Sequence, residues 1–166
     1  MNNAKTMLPG SLVVLLLLSI QPSAGHAQSL TWLPFEEALA RADSSNRPVL
    51  VDVWAPWCGW CHKLKNEVYP ALTVELSGQF VLTRINRDNR EAEHHYRGQK
   101  ITSLRLAQKF GAQQVPTLVF LNARGDYLLH ITGFVDKKTL KPLLTYIATE
   151  AYHHQSFEAF QKKNGF

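Results

Sequence analysis

The sequence predicts an α/β fold, a central mixed β-sheet with helices packed on both faces. Three observations point to it. The run Pro48 to Ala55 (PVLVDVWA) is apolar and β-branched without alternation, which suits a strand buried on both faces. Helical and strand patterns alternate early in the chain, and two strand patterns then meet across a short turn, so crossovers are followed by a hairpin. Finally, 166 residues of which 45% are hydrophobic suit one domain with a full core.

The elements follow in order. After a short lead containing Trp32, Phe35 to Ala42 (FEEALARA) has helical spacing with Pro34 near its start, and Asp43 to Arg47 reads as a turn. The buried strand Pro48 to Ala55 comes next. A helix from Cys58 runs through Leu64 and Val68, Pro70 kinks or interrupts it, and Leu72 to Leu76 continues helical. Phe80 to Ile85 alternates as a strand, and a further helix separates it from the strand Val115 to Leu121. Asn122 to Asp126 (NARGD) turns the chain into Tyr127 to Ile131, closing a hairpin. Lys138 to Thr149 is the last main helix, capped by Asp136. Two segments stand outside this compact pattern: the polar stretch Arg87 to Lys100, long for a connection in a small domain, and a short amphipathic helix over Gln155 to Lys163 with Ser156 as its cap.

Residues 1–27 have the pattern of a secretory signal peptide, leaving 28–166 as the folded domain. Lys5 supplies positive charge, Leu12 to Ile20 supplies a nine-residue apolar core, and Gly25-His26-Ala27 offers small residues at a cut before Gln28. A spanning helix needs about 20 apolar residues, so the run is short for an anchor. Export, to the periplasm, places both cysteines in an oxidising compartment. The formal charge of +5 is spread along the chain and gives little support to nucleic-acid binding.

The chemistry lies in Trp57-Cys58-Gly59-Trp60-Cys61, which directly follows the buried strand and opens a helix. A sulfur in the first turn of a helix meets unpaired N–H groups and the positive end of the macrodipole, which favour thiolate over thiol. Cys61 stands one turn on, within disulfide reach. Cys58 can attack a partner's disulfide and Cys61 can resolve the mixed disulfide. A purely structural bridge would close a very small loop, worth only about 2 kcal/mol. A zinc site would need four ligands, and the pairs His94-His95 and His153-His154, together with His62, show no matching spacing and read as surface residues. No metal or other cofactor is implied, because the electrons reside in the disulfide.

Asp52 is an acid inside an apolar strand. Burial would raise its pKa and suit it to accept the proton of Cys61, unless it turns to solvent at the strand end. Pro116 has a bland reading as a strand-start proline. Trp54 suits the core, Trp60 suits either core or surface, and Arg84, Arg87 and Arg90 read as a solvated face.

Val51 to Cys61 (VDVWAPWCGWC) resembles the active-site stretch of the thioredoxin superfamily, and Val115-Pro116-Thr117 resembles its cis-proline loop; the likeness runs from about Leu30 to Thr149. The resemblance implies an exposed nucleophile at Cys58, a buried resolving thiol at Cys61, and Asp52 as the buried acid. It also implies a cis Val115–Pro116 bond, with the Val115 backbone and Trp57 contacting substrate. Gly59 and Trp60 replace the Gly-Pro of cytosolic thioredoxins and would tune the potential.

The leader, the stretch at 87–100 and Gly133 to Asp136 are similar to soluble periplasmic thioredoxins of the SoxW type and to the C-terminal domain of the disulfide reductase DsbD. The expected function is a monomeric periplasmic reductase of disulfides in exported proteins, kept reduced by a membrane electron donor. A net oxidant of exported thiols and a redox-silent peptide-binding module are the alternatives.

Overall fold

The computed structural model describes Met1 and residues 29–166, so the leader and its cut before Gln28 lie outside the described residues. A five-stranded mixed sheet forms the centre. Its strands are β1 (Trp32–Leu33), β2 (Val49–Trp54), β3 (Val81–Asn86), β6 (Thr117–Leu121) and β7 (Tyr127–Thr132), in the order β1-β3-β2-β6-β7. β3 runs parallel to both β1 and β2, whereas β6 is antiparallel to β2 and β7.

β2 is paired along both edges and buried on both faces, as its unbroken apolar run requires. Leu50 joins a core completed by Leu64, Leu76, Phe120, Leu140 and Leu144. Val49, Val51 and Val53 point the other way, into a core with Phe35, Ala38, Leu106 and Phe110. The first core is roofed by a π-turn over Leu64–Val68, which continues α2 (Gly59–Lys63), and by α3 (Tyr69–Ala71), α4 (Thr73–Gln79) and α6 (Lys137–Ala148). The second is roofed by α1 (Phe35–Ser45) and α5 (Ser103–Lys109). Helices therefore cover both faces. None of the described helices is long and apolar enough to cross a membrane.

Several expectations need correction. α1 continues to Ser45, through residues read as a turn, and stops at Asn46, whose φ of 49° is a left-handed helix end. Pro70 falls where the helical pattern is interrupted, as expected: the run from Gly59 passes into the π-turn over Leu64–Val68 just before it, with Tyr69 N–H donating to Leu64 O, and the run ends at Leu72 (φ −123°, ψ 23°). β6 begins at Thr117, so Val115 and Pro116 lie before the ladder. Asp136 caps α6 as expected, its Oδ1 accepting from Thr139 N at 2.8 Å.

The stretch at 87–100 is the largest correction. Its second half is a β-hairpin with the residues that follow, β4 (Glu93–Tyr96) against β5 (Gln99–Thr102). Arg97 (φ 51°) and Gly98 (φ 73°) form the two-residue turn, both in the left-handed region that tight hairpins demand. The hairpin belongs to the core. Tyr96 is buried, meets the rings of Phe110 and Phe35 at 5.1 and 5.9 Å, and donates to Gly125 O at 2.8 Å. His94, read as a surface residue, turns inward against Phe35, with Nε2 2.9 Å from Ser103 Oγ. The final helix α7 (Phe157–Asn164), capped by Ser156, is likewise integrated, because Phe160 is buried against Tyr146 of α6.

Tyr96→Ala is expected to cost about 3 kcal/mol or more, the scale of a lost buried aromatic, and Tyr96→Phe about 1 kcal/mol or somewhat more for the hydroxyl, which donates to Gly125 O and accepts from Arg97 Nε. Urea unfolding checks both. A near-neutral Tyr96→Ala would show that the hairpin is peripheral.

Candidate functional site

β2 ends at Trp54, the chain turns through Ala55 and Pro56, and α2 begins at Gly59 with Cys58 as its N-cap. Cys58 and Cys61 form a disulfide, S–S 2.03 Å. Cys58 Sγ accepts the Cys61 N–H at 3.1 Å, so the sulfur itself satisfies one of the orphan donors of the helix start. That amide and the helix dipole stabilise negative charge on Cys58 once the pair is reduced. His62 is exposed and donates through Nε2 to Pro56 O at 2.8 Å, which holds the ring on the loop.

The expected exposure of Cys58 is corrected. In the disulfide state Cys58 is 3% exposed and Cys61 1%, because both pack against Ala55, Trp54 and Val115. The surroundings of the pair are open. Trp57 is 67% exposed and Trp60 57%. A Cβ on Gly59 would meet nothing within 4 Å, so the chain between the two cysteines faces open space. Trp57 Nε1 donates to Asp88 Oδ2 at 2.7 Å; that bond, reinforced by Arg87, holds the Asp88 carboxyl below the usual carboxylate range. Trp60 leans on Phe134 with ring centroids 5.2 Å apart, and Lys63 Nζ stands 5.4 Å from the Trp60 ring. The Val115–Pro116 peptide is cis, and Val115 touches the cysteine cluster directly.

Asp52 is fully buried on β2. Its register partner on β3 is Arg84, whose Nε donates to Asp52 Oδ2 at 2.8 Å. This corrects the reading of Arg84 as solvated. Its guanidinium carbon lies 4.5 Å from the Trp54 ring and 5.3 Å from that of Trp32, so the charge is held between two aromatic faces. Trp54, expected in the core, is half-buried as one wall of this slot. Burial pushes the Asp52 carboxyl above its ordinary value, and Arg84 opposes that shift only in part. The buried Tyr69 hydroxyl couples electrostatically to Asp52, and burial drives the phenol well above its usual range.

Comparison with known proteins agrees with this geometry. The profile of the thioredoxin-like domain family matches residues 35–148. The chain belongs to the thioredoxin-like family. It is 31% identical over 101 residues to a thioredoxin of Pyropia yezoensis, covering 61% of this chain and 80% of that one. A thioredoxin-fold protein from Helicobacter pylori superposes with a TM-score of 0.60 at 20% identity, covering 72% of this chain and 80% of that chain. A Thermus thermophilus thioredoxin superposes with a TM-score of 0.58 at 24% identity, covering 76% and 98%. These two are likenesses of fold. With the Cys58–Cys61 pair at the helix start, this thioredoxin-like domain is a thiol–disulfide oxidoreductase.

The thioredoxin-like site thus gathers Cys58, Cys61, Trp57, Gly59, Trp60, Val115 and Pro116 at one end of the sheet, with Asp52 on β2 two residues before its end. Sequence reasoning missed Arg84, Asp88 and Phe134. Arg84 carried a signal: it interrupts an apolar strand just as Asp52 does, and two opposite charges in adjacent buried strands invite pairing. Among the described residues, no group of three His, Cys, Asp or Glu side chains could hold a metal.

Asp52 gives the site a pH signature. Its native pKa is raised by burial, so the native state binds its proton more tightly than the unfolded chain does. Stability is therefore lost as pH rises from the unfolded value, about 3.9, through the raised native one. Asp52→Asn keeps an acceptor for Arg84 and does not titrate. Its stability relative to the unchanged protein should increase across that window and then level off, measured by urea unfolding of the disulfide form between pH 4 and 8. A difference that shrinks as pH rises contradicts the assignment.

Proposed function

We propose that this protein is an exported reductase of protein disulfides, with Cys58 as nucleophile, Cys61 as resolving thiol and Asp52 as proton acceptor. The observation that carries the reading is the Cys58 sulfur at the N-cap of α2, accepting the Cys61 N–H. In the reduced protein the Cys58 thiolate attacks one sulfur of a substrate disulfide. The substrate S–S bond breaks, a mixed disulfide forms and the first substrate thiolate leaves. Cys61 then gives its proton towards Asp52 and attacks Cys58 Sγ. The second substrate thiolate departs, and the protein is left as the Cys58–Cys61 disulfide with the substrate reduced by two electrons.

The surroundings support this order. Cys61 follows one turn on in α2 with its N–H on Cys58 Sγ, placed to attack Cys58. A carboxyl whose pKa is raised by burial is a better proton acceptor than an exposed one. Trp57 and Trp60, exposed beside the cysteines in the chain, offer apolar contact, and Val115, ahead of the β6 ladder, offers backbone to an extended segment. Gly59 keeps the approach open. Regeneration needs a dithiol donor, and the export reading places that donor at the membrane.

Cys58→Ser should abolish reduction of a protein disulfide, whereas Cys61→Ser should accumulate a one-to-one mixed disulfide through Cys58, seen as a reducible adduct by mass spectrometry. An adduct formed by Cys58→Ser, or none formed by Cys61→Ser, would reverse or overturn the roles. For export, mass spectrometry of the protein from a periplasmic fraction should find Gln28 at the N-terminus; an intact Met1 on a membrane-bound species would refute it.

A further inference from the structure

Arg87 stands just past the end of β3 and joins three segments that surround the disulfide. Its backbone N–H donates to Trp54 O at 2.9 Å, at the end of β2. Its Nη1 donates to Gln113 O at 3.0 Å, two residues before Val115. Its Nε donates at 3.0 Å to Asp88 Oδ1, and the other oxygen of that carboxylate holds the Trp57 indole. The guanidinium carbon lies 5.9 Å from the Trp57 ring. The Arg87 side chain is only 16% exposed, against 37% for Asp88, so the fork sits inside the contact and the carboxylate on its rim.

We infer that Arg87 is a positioning residue for protein substrates: it holds the loop bearing Val115 at a set distance from the Trp57 flank, so that an extended segment can lie across Cys58. The inference rests on the proposed reduction of protein disulfides by this pair. Residues 113–116 precede β6 and have no ladder of their own; Gly133 N–H holds Pro116 O and Thr117 Oγ1 holds Gln114 O, each at 2.8 Å, and the bond from Arg87 to Gln113 O ties the start of the segment to the Trp57 side of the site. A loop that must be ordered on binding weakens the complex by the cost of ordering it. A long peptide substrate meets that cost, whereas a small disulfide needs only the sulfur. Two directed donors from one planar group fix an angle as well as a distance, which a lysine cannot do.

The test compares pre-reduced protein oxidised by insulin and by glutathione disulfide in single turnovers, so that no regenerating donor is needed. Arg87→Leu should raise the half-saturating insulin concentration about tenfold, the scale of about 1.4 kcal/mol of lost preorganisation, with little change in limiting rate. The rate with glutathione disulfide should stay unchanged. Arg87→Lys, which keeps the charge without the fork, should show most of the same rise, and it carries the test if the leucine variant does not fold. An unchanged half-saturation for insulin, or equal slowing with both substrates, overturns the role of Arg87 while leaving the reductase reading in place. Unmodified protein that reduces neither substrate overturns that reading and this inference with it.

Discussion

The burial of β2 on both faces and its pairing along both edges is the constraint on which the active end of this molecule depends. A strand so held cannot slip in register without driving Val49, Val51 and Val53 out of one core and Leu50 out of the other. Its last residue is therefore a fixed point. From it, a short turn delivers Cys58 to the start of α2, where the helix has donors to spare. The sulfur becomes an electrostatic acceptor because of where the strand ends, and the residues on either side of it need contribute no charge.

The same strand carries a group that is costly to bury. Asp52 is wholly buried, and its bond to Arg84 only partly offsets desolvation. A single close pair across a parallel ladder is well placed for attraction, yet both ions have left water, and such pairs commonly stabilise less than an apolar replacement would. Here the guanidinium recovers some interaction from the faces of Trp54 and Trp32. The arrangement fits the proton-accepting role proposed for Asp52 better than a role in stability. Catalytic groups are where such imbalances are found.

The sequence showed the sheet centre and the redox pair because each rests on a local pattern: an unbroken β-branched run, then two cysteines one turn apart at a helix start. Cap residues were equally legible, as Asp136 and Ser156 show. What escaped depends on contacts remote in the chain. The hairpin of β4 and β5 is polar on its outer face, and only Tyr96 and Ile101 betray an inner one, so its Arg97-Gly98 turn passed for part of a loop. Arg84 looked solvated because nothing local shows that β3 lies beside Asp52. Arg87 and Asp88 looked like surface charge, and their bonds to Gln113 and Trp57 span 26 and 31 residues of chain.

The direction of electron flow is set by how well the reduced pair's thiolate is stabilised. Gly59 and Trp60 bring no charge between the cysteines, and His62 is turned onto Pro56 O. Ionised Asp52 would repel a nearby thiolate and so favour the disulfide, making the dithiol the better donor. The most direct test is the equilibrium of the Cys58–Cys61 pair with glutathione. A reductase of this kind has a potential well below the strong-oxidase value of about −120 mV, at or somewhat above that of thioredoxin, about −270 mV. A potential close to the oxidase value, with rapid oxidation of unfolded thiol substrates, would contradict the reductase reading.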